Sequence, residues 1–370
     1  MSVQVSYSKQ SLLGIILLII CLVLLEIISI IVLDQRDSCN TGLWDSGLFS
    51  QYSHNFVKNL CSDYKSIIDY EKPFKHWEPN QKTNSVNINT LGIRGHEINV
   101  EKNPETYRII MLGGSAMYGV YATSDSSTIP ALLEKKLEQE NSQLNVEIIN
   151  AGVNGASSYD EINLLKDRLL FLKPDMIFVY DGGNDLLNEI SPIDEYSNDS
   201  SPDSIEKITK NIRNYYKTPH FIEFLDIVIQ KKIFNVNENS LDTLSVNNVE
   251  KKVDLWKNRW KTICETPSMA EIDIIISIQP YLGVGDKTLS EWELQAKQSN
   301  QKFDVSEFYP LMIQELNNLD NCTMTLNLTD VFDDYSNTIF YDLIHVMDSG
   351  NKIVADRIYE EILPILKNHI

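Results

Sequence analysis

Basic residues are scarce in this 370-residue sequence, where 32 lysines and arginines face 52 aspartates and glutamates for a formal charge of −20. Affinity for nucleic acid depends on neutralising phosphates with lysine and arginine, so a chain this acidic is not expected to bind nucleic acid. Apolar residues make up 43% of the chain and charged residues 23%, close to the averages of globular proteins. These proportions exclude wholesale disorder and a fibrous repeat.

Several cofactor and metal signatures are also missing. Gly114 and Gly119 have the spacing of a phosphate-binding P-loop, but Val120 and Tyr121 follow where Lys and Ser or Thr are required. No G-x-G-x-x-G fits at this point, and Met117 stands where the nucleophile-elbow pattern G-x-S-x-G needs its last glycine. The six histidines are scattered and no Cys/His cluster has ligand spacing. We therefore expect no metal and no cofactor.

Cysteines are few: there are five, and Cys21 falls inside an apolar run. The remaining four can pair in three ways in an oxidising compartment, and the most local connectivity is Cys39–Cys61 with Cys264–Cys322. Three N-x-S/T sequons, compatible with exposure outside the cytoplasm, begin at Asn198, Asn321 and Asn327.

One long apolar run is present, from Leu12 to Leu33, interrupted only by Gly14, Glu26 and Ser29. As a helix it would span roughly 33 Å, enough to cross a hydrocarbon core of about 30 Å. A cleaved signal peptide is the alternative, but IISIIVLD at residues 27–34 offers no small-residue cleavage site. The run therefore predicts a transmembrane anchor over residues 11–33.

The orientation of this anchor follows from its flanking charges. Lys9 and the α-amine precede the run, while Asp34, Arg36 and Asp37 follow it. The positive-inside rule then predicts that residues 1–10 form a cytoplasmic tail and that the rest of the chain is extracytoplasmic. The protein is expected to be a single-pass membrane protein.

Beyond the anchor, residues 34–104 form a polar segment without strong periodicity, which we interpret as a stalk or a cap. From Tyr107 onward, apolar strand-like runs alternate with helical patterns, which predicts a parallel sheet covered on both faces in a domain spanning residues 105–370. The predicted strands are Tyr107–Leu112, Val146–Asn150, Met176–Tyr180, Ile272–Ile278 and Met324–Leu328. The predicted helices are Ile129–Glu140, Tyr159–Leu172, Glu291–Gln301, Val305–Leu316 and Lys352–Leu366.

The stretch from about 190 to 265 interrupts this alternation and is interpreted as an insertion. It opens with an acidic loop and then places apolar residues at helical spacing, namely Val249, Val253, Trp256, Trp260 and Ile263. This stripe could contact a membrane or a ligand, but it is more typical of a helix face packed on a core.

Four short segments carry candidate chemistry, and three of them follow predicted strands. Gly113-Gly114-Ser115 follows the first strand, the glycine-containing segment from Asn150 to Ser158 follows the second, and Asp181–Asp185 follows the third. Glycines let backbone N–H groups approach a ligand, and the Asn184 amide can face developing negative charge. Each segment is equally compatible with an ordinary turn. The fourth segment places Asp342 three residues before His345, where a carboxylate can fix the tautomer of an imidazole.

In this order, the four segments resemble the blocks of the SGNH (GDSL-like) hydrolase family over roughly residues 107–365. The resemblance implies a three-layer α/β/α, flavodoxin-like fold with a central parallel sheet. It implies that Ser115 is the nucleophile, that His345 is the general base and later the acid, and that Asp342 orients His345. It also implies an oxyanion hole formed by the Ser115 N–H, the Gly155 N–H and the Asn184 side chain.

The resemblance has two departures and one extension. The first block reads G-G-S where many members have G-D-S, and Ala116 follows where leucine is common. The segment from Asn89 to Gly95 resembles one that precedes the first block in some longer members. There we expect Arg94 to pack or pair near the edge of the domain, without a catalytic role.

Together these features predict a membrane-anchored extracytoplasmic serine esterase that removes acyl groups, most simply acetyl, from surface glycan or lipid. One alternative is an O-acyltransferase that uses the same triad to pass the acyl group to a sugar. The other is a surface scaffold that retains the fold without turnover. The expected partners are an ester substrate and the membrane, contacted through the N-terminal helix.

Overall fold

A five-stranded parallel sheet organises the unit formed by Gly42–Ile190 and Leu241–Ile370 in the computed structural model. The structure describes residues 7–35, 38–68, 78–141, 143–187, 249–299 and 305–368. Along the sheet the strands run in the order β4-β3-β5-β6-β7. Their bounds are β3 Tyr107–Gly113, β4 Val146–Gly152, β5 Met176–Asp181, β6 Asp273–Ile278 and β7 Met324–Asn327. A separate antiparallel pair consists of β1 Gln81–Lys82 and β2 Asn87–Ile88.

Both faces of the sheet are buried, which explains why its strands read as continuous apolar runs. Successive side chains of a strand point to opposite faces. On β3, Ile110 and Leu112 belong to one core cluster, whereas Ile109 and Met111 belong to the other. The predicted α/β/α layering with a central parallel sheet is confirmed.

Helices supply the two outer layers. The core cluster that contains Ile110 and Leu112 also includes residues of the predicted Trp-bearing stripe. All five stripe residues are buried on one helix, so the core-packing interpretation is confirmed. The described helices are α1 Tyr7–Gln35, α2 Ser38–Asp45, α3 His54–Ile67, α4 Ser115–Tyr118, α5 Ile129–Glu140, α6 Ser158–Leu164, α7 Gly183–Leu187, α8 Val249–Cys264, α9 Glu291–Ser299, α10 Phe308–Leu316 and α11 Asp348–Lys367. After α6 the chain continues through a π turn and a 3₁₀ turn to Leu172.

The segment 34–104 contains more regular structure than its sequence indicated. Helix α3 begins after the N-cap Ser53, whose side chain accepts a hydrogen bond from the Phe56 N–H at 3.2 Å. One face of α3 is buried, including Leu60 and Tyr64. The buried residues of α3 recur at three- to four-residue spacing, so this part of the segment has a helical periodicity, contrary to the expectation from sequence.

The N-terminal helix α1 belongs to the other unit, Met1–Thr41 with Ser191–Ser240. Within it, Lys9–Ser29 has a mean hydropathy of 3.1 and is long enough to cross a membrane, as an anchor or as a signal sequence. The anchor predicted over residues 11–33 lies within α1. Residues 1–6 of the predicted cytoplasmic tail lie outside the described residues, as do residues 188–248, which include most of the predicted insertion and Asn198.

Cys264 and Cys322 form a disulfide that closes a separation of 58 residues, in agreement with the most local connectivity. Cys39 and Cys61 are disulfide-bonded as well, and Cys21 is free.

Candidate active site

The carboxyl ends of three neighbouring strands bring three of the predicted segments to one edge of the sheet. Gly113 at the end of β3 pairs with Gly152 on β4 and with Tyr180 on β5. The loops that follow these strands therefore start side by side. This is the edge at which ligands bind in open α/β sheets.

Ser115, His345 and Asp342 form a continuous chain of polar contacts at this edge. The Oγ atom of Ser115 lies 2.7 Å from Nε2 of His345, and Nδ1 of His345 lies 2.7 Å from Oδ2 of Asp342. Ser115 is 6% exposed, while the side chains of His345 and Asp342 are 18% and 38% exposed. The structure thus brings these three predicted residues together. The first distance allows proton transfer from Ser115 to His345, and the second allows Asp342 to orient the ring.

The turn that carries His345 is held by the carboxylate of Asp342, which lies in the same turn. Oδ1 of Asp342 accepts hydrogen bonds from the N–H groups of Ile344 and His345, both at 2.8 Å. Across the base of the turn, the Tyr341 N–H donates to the His345 carbonyl at 2.8 Å. Because one carboxylate binds both the backbone and the ring, the imidazole has a fixed direction.

Electrostatics favour the charged forms of this pair. Burial alone lowers the pKa of His345, but the charge and hydrogen bond of Asp342 outweigh burial and raise that pKa above the ordinary value of 6.5. Burial likewise raises the pKa of Asp342, but His345 and the two backbone N–H groups outweigh it and hold that pKa below its ordinary value. An imidazolium formed on His345 is therefore stabilised in place.

Side chains that sequence reasoning missed hold the flanks of this turn. Oε1 of Glu293 accepts hydrogen bonds from the N–H groups of Ile339 and Phe340 at 2.9 and 3.0 Å. After the turn, Oδ1 of Asp348 accepts a hydrogen bond from the Thr123 N–H at 3.0 Å. These contacts join positions dozens to hundreds of residues apart, so local sequence spacing carries no sign of them.

The predicted oxyanion donors lie on the three strand-end loops. Ser115 is the first residue of α4, Gly155 has a φ of 78°, and Asn184 lies in α7. The left-handed φ at 155 strongly favours glycine. Nδ2 of Asn184 donates to the Ala156 carbonyl at 2.8 Å, which ties the loop after β5 to the loop after β4.

Gly114 stands where many family members have the aspartate of G-D-S, and the space around it explains the glycine. A Cβ atom on Gly114 would lie 2.2 Å from Nδ2 of Asn184. The backbone of Gly114, with φ −79° and ψ −151°, is open to any residue, so space rather than conformation requires glycine here. A side chain at position 114 and this placement of the Asn184 amide exclude each other.

Beneath the loops that follow β4 and β5 lies a buried cluster of three carboxyl groups, those of Glu161, Asp181 and Asp185. Oδ2 of Asp181 accepts hydrogen bonds from the indole N–H groups of Trp256 and Trp260 at 2.8 and 2.6 Å. Burial foremost, and then the nearby carboxylates, raises the pKa of Glu161 well above its ordinary value. Helix α8, at the end of the predicted insertion, therefore supports the site from below.

Arg94 packs behind the nucleophile turn, in agreement with the expectation that it would pack or pair. Its Nε donates to Asp125 at 2.8 Å, and its Nη1 donates to the carbonyls of Tyr118 and Gly119 at 3.0 and 2.8 Å. Arg94 therefore caps the carboxyl end of α4, at whose other end Ser115 lies.

An aromatic wall of three residues, Tyr121, Tyr341 and Trp292, lies beside His345. The Tyr121 ring meets the rings of Tyr341 and His345 edge-on, with centroids 5.4 and 6.2 Å apart. Trp292 stacks on Tyr341 at 6.1 Å, and its indole N–H donates to the Tyr341 carbonyl at 2.8 Å. Tyr121 has a φ of 63°, an unusual conformation for a bulky residue and one that clusters at functional sites.

A serine, a histidine and a carboxylate in line at the carboxyl edge of a parallel α/β sheet form an arrangement found in serine hydrolases. The sequence model of the GDSL-like lipase/acylhydrolase family matches residues 109–358, about two-thirds of the chain. The chain belongs to this family, which confirms the resemblance stated from its four segments.

Solved structures similar to this chain include esterases. An acetyl xylan esterase is 15% identical with a TM-score of 0.40, over 69% of this chain and 99% of that chain. An acetylxylan esterase from Geobacillus stearothermophilus is 12% identical with a TM-score of 0.40, over 69% of this chain and 94% of that chain. A two-domain esterase active on acetylated mannans is 12% identical with a TM-score of 0.40, over 71% of this chain and 50% of that chain. No curated protein matches the sequence.

Proposed function

We propose that this protein is a membrane-anchored, extracytoplasmic esterase that hydrolyses acetyl or similar esters on surface glycan or lipid through an acyl-enzyme. The observation that carries the proposal is the Ser115–His345–Asp342 chain, with both of its polar contacts at 2.7 Å. Ser115 has no useful nucleophilicity as a free hydroxyl at neutral pH, so a base at this distance is what makes covalent catalysis feasible.

In the first half-reaction, Oγ of Ser115 attacks the ester carbonyl and Nε2 of His345 takes the hydroxyl proton. Asp342 stabilises the resulting imidazolium without taking up its proton. The tetrahedral intermediate then collapses, the bond to the alcohol oxygen breaks, and His345 returns its proton to that oxygen. The products are the free alcohol and an acyl ester on Ser115.

In the second half-reaction, water attacks the acyl-serine while His345 again serves as base. Collapse of this intermediate releases the carboxylic acid and restores the Ser115 hydroxyl. In both steps the negative oxygen is stabilised by the N–H groups of Ser115 and Gly155 and by the Asn184 amide. Preorganised donors of this kind act without rearrangement at the moment of reaction.

Three features support a sugar-bearing substrate outside the cytoplasm. The aromatic wall places three partly exposed rings beside His345, a surface suited to the CH-rich face of a sugar ring. The membrane-length apolar stretch of α1 follows Lys9, which favours an external domain, and the Cys264–Cys322 disulfide fits an oxidising compartment.

The proposal is tested by acetate release from acetylated xylo-oligosaccharides, using the full chain purified in detergent. Ser115→Ala and His345→Ala should abolish turnover and labelling of the protein by a fluorophosphonate probe. Ser299→Ala is the control, because Ser299 is exposed on α9 and its hydroxyl only donates to the Gln295 carbonyl of its own helix at 2.8 Å. Normal turnover by either of the first two variants would refute the mechanism.

The same assay separates the alternatives. An O-acyltransferase would transfer the acetyl group to an added sugar acceptor instead of releasing acetate. A scaffold would release no acetate and would resist the probe although folded. We expect release of acetate at a rate that does not depend on the sugar acceptor.

A further inference from the structure

Two of the three loops that carry the proposed oxyanion donors, those of Gly155 and Asn184, are joined by side-chain hydrogen bonds at two consecutive positions. Asn184 donates to the Ala156 carbonyl at 2.8 Å. At the next position, Asp185 accepts hydrogen bonds from the Ser158 N–H, at 3.2 Å to each carboxylate oxygen, and from the Ser158 hydroxyl at 2.5 Å. Both connections reach residues within three positions after Gly155.

We infer that Asp185 is a positioning residue that clamps Ser158 and thereby keeps the Gly155 N–H and the Asn184 amide in register with each other. The inference rests on the proposed function, because it assumes that these two groups stabilise the oxyanion. Asp185 touches neither the substrate nor the reacting atoms, and its effect on the reaction passes through the two loops.

Asp185 also satisfies the Ser158 N–H, one of the first N–H groups of α6, which have no acceptor within the helix. Ser157 is the N-cap of α6, and its N–H and hydroxyl both donate to Oδ2 of Asp160, at 2.9 and 2.8 Å. This capping box lies within the helix's own first turn. Asp185 comes from the neighbouring loop, so its carboxylate connects the two loops in addition to satisfying the Ser158 N–H.

The contact between Asp185 and Ser158, which we call the clamp, is supported by a third element, helix α8. Nη1 of Arg259, on α8, donates to the Ser158 hydroxyl at 3.2 Å and lies 3.8 Å from Oδ1 of Asp185. Ser158 therefore receives one hydrogen bond from Arg259 and donates another to Asp185, which fixes the direction of its hydroxyl.

Burial makes an ionised carboxylate at position 185 energetically unfavourable, which argues against a purely space-filling role for Asp185. Asp185 is 8% exposed. Burial foremost, and then the charge of Asp181, raises the pKa of Asp185 to about 7, although the hydrogen bonds of Ser158 and the charge of Arg259 act in the opposite direction. Assays at pH 8.5 therefore examine the ionised clamp.

The experiment compares kcat and KM for p-nitrophenyl acetate at pH 8.5 in Asp185→Ala, Asp185→Asn and Ser158→Ala. We expect Asp185→Ala to lower kcat by about 10–100-fold with KM within about threefold, because small displacements of catalytic groups act on the transition state. Asp185→Asn should retain more activity, since its amide oxygen still accepts the Ser158 N–H. If Asp185→Ala does not fold, the other two variants carry the same comparison.

Asp63 provides a matched control. Its Oδ2 accepts hydrogen bonds from the Ser85 N–H at 3.0 Å and from the Ser85 hydroxyl at 2.9 Å, the same chemistry on elements that carry no proposed oxyanion donor. Asp63→Ala should lower the melting temperature but keep kcat within about twofold of the wild type. An equal loss of kcat in Asp63→Ala and Asp185→Ala would overturn the clamp.

Coupling to Asn184 gives the decisive comparison. In an Asn184→Ala background the clamp has one donor fewer to position, so Asp185→Ala should lower kcat by markedly less than in the wild type. An undiminished loss would overturn the clamp and leave the proposed function standing. A wild-type kcat in Asn184→Ala alone would instead overturn the oxyanion assignment, and the clamp with it.

Discussion

Replacing Gly114 with alanine adds a single methyl group that faces the Asn184 amide. An ideal Cβ at this position lies 2.2 Å from Nδ2 and 3.4 Å from Cγ of Asn184. The backbone torsions at Gly114 suit alanine, so no conformational strain accompanies the change. Because the colliding atom is the end of a side chain, we expect the Asn184 amide to move and the backbone to stay.

The size of this movement sets the expected loss of activity. Ordinary contact at about 3.4 Å requires the amide nitrogen to shift by roughly 1.2 Å, which also breaks its 2.8 Å bond to Ala156. A displacement of about 1 Å at a catalytic group can cost about 10²-fold in rate, and loss of one oxyanion donor costs about 10²–10³-fold in kcat. We therefore expect kcat to fall by about 10²-fold. The free energy of unfolding should fall by only about 1 kcal/mol, the contribution of one hydrogen bond.

The assay is steady-state hydrolysis of p-nitrophenyl acetate, accompanied by thermal unfolding followed by circular dichroism. Asn184→Ala and the double variant Gly114→Ala/Asn184→Ala complete the set. Once the amide is gone, the methyl group has nothing to displace, so the double variant should match Asn184→Ala. A kcat within threefold of wild type in Gly114→Ala, or full additivity in the double variant, would refute this reasoning.

Two further predictions concern His345 and the aromatic wall. We expect kcat/KM to rise with pH through a midpoint above 6.5, because His345 acts as a base only when neutral and Asp342 raises its pKa. Asp342→Asn should lower this midpoint and reduce the plateau value of kcat/KM by about 10²–10⁴-fold. An unchanged midpoint would contradict the pairing of Asp342 with His345. Tyr121→Gly removes a ring held at a φ of 63°, so relief of about 1–2 kcal/mol of backbone strain should offset part of the lost packing. In the same variant the preference for acetylated xylo-oligosaccharide over p-nitrophenyl acetate, as a ratio of kcat/KM values, should fall about tenfold, and a wild-type ratio would exclude the wall from binding.

The sheet was predictable from sequence because its strands are buried on both faces and read as short apolar runs. All five predicted strands agree with the structure to within two residues at either end, and α5 has its predicted bounds. Helix α6 departs from its predicted extent, since its continuous apolar pattern conceals a change to π and 3₁₀ turns before Leu172.

The candidate site was predictable only in part, for a physical reason. Ser115, Asn184 and His345 stand in local patterns that resemble family blocks, and these can be read along the chain. Asp185 and Glu293 act through contacts with residues 27 and 46 positions away, which no local spacing reveals. The steric role of Gly114 is equally hidden, because it depends on where the Asn184 side chain lies.

Ser115 and His345 are 230 positions apart in the sequence, which has a consequence for biosynthesis. A ribosome adds about 5–20 residues per second, so the nucleophile of the proposed mechanism is made roughly 10–50 s before its base. During that interval the growing chain carries a serine without the imidazole that would activate it. On this mechanism, a chain still under synthesis is inert toward the esters around it. The same holds for a chain truncated before the turn that carries Asp342 and His345.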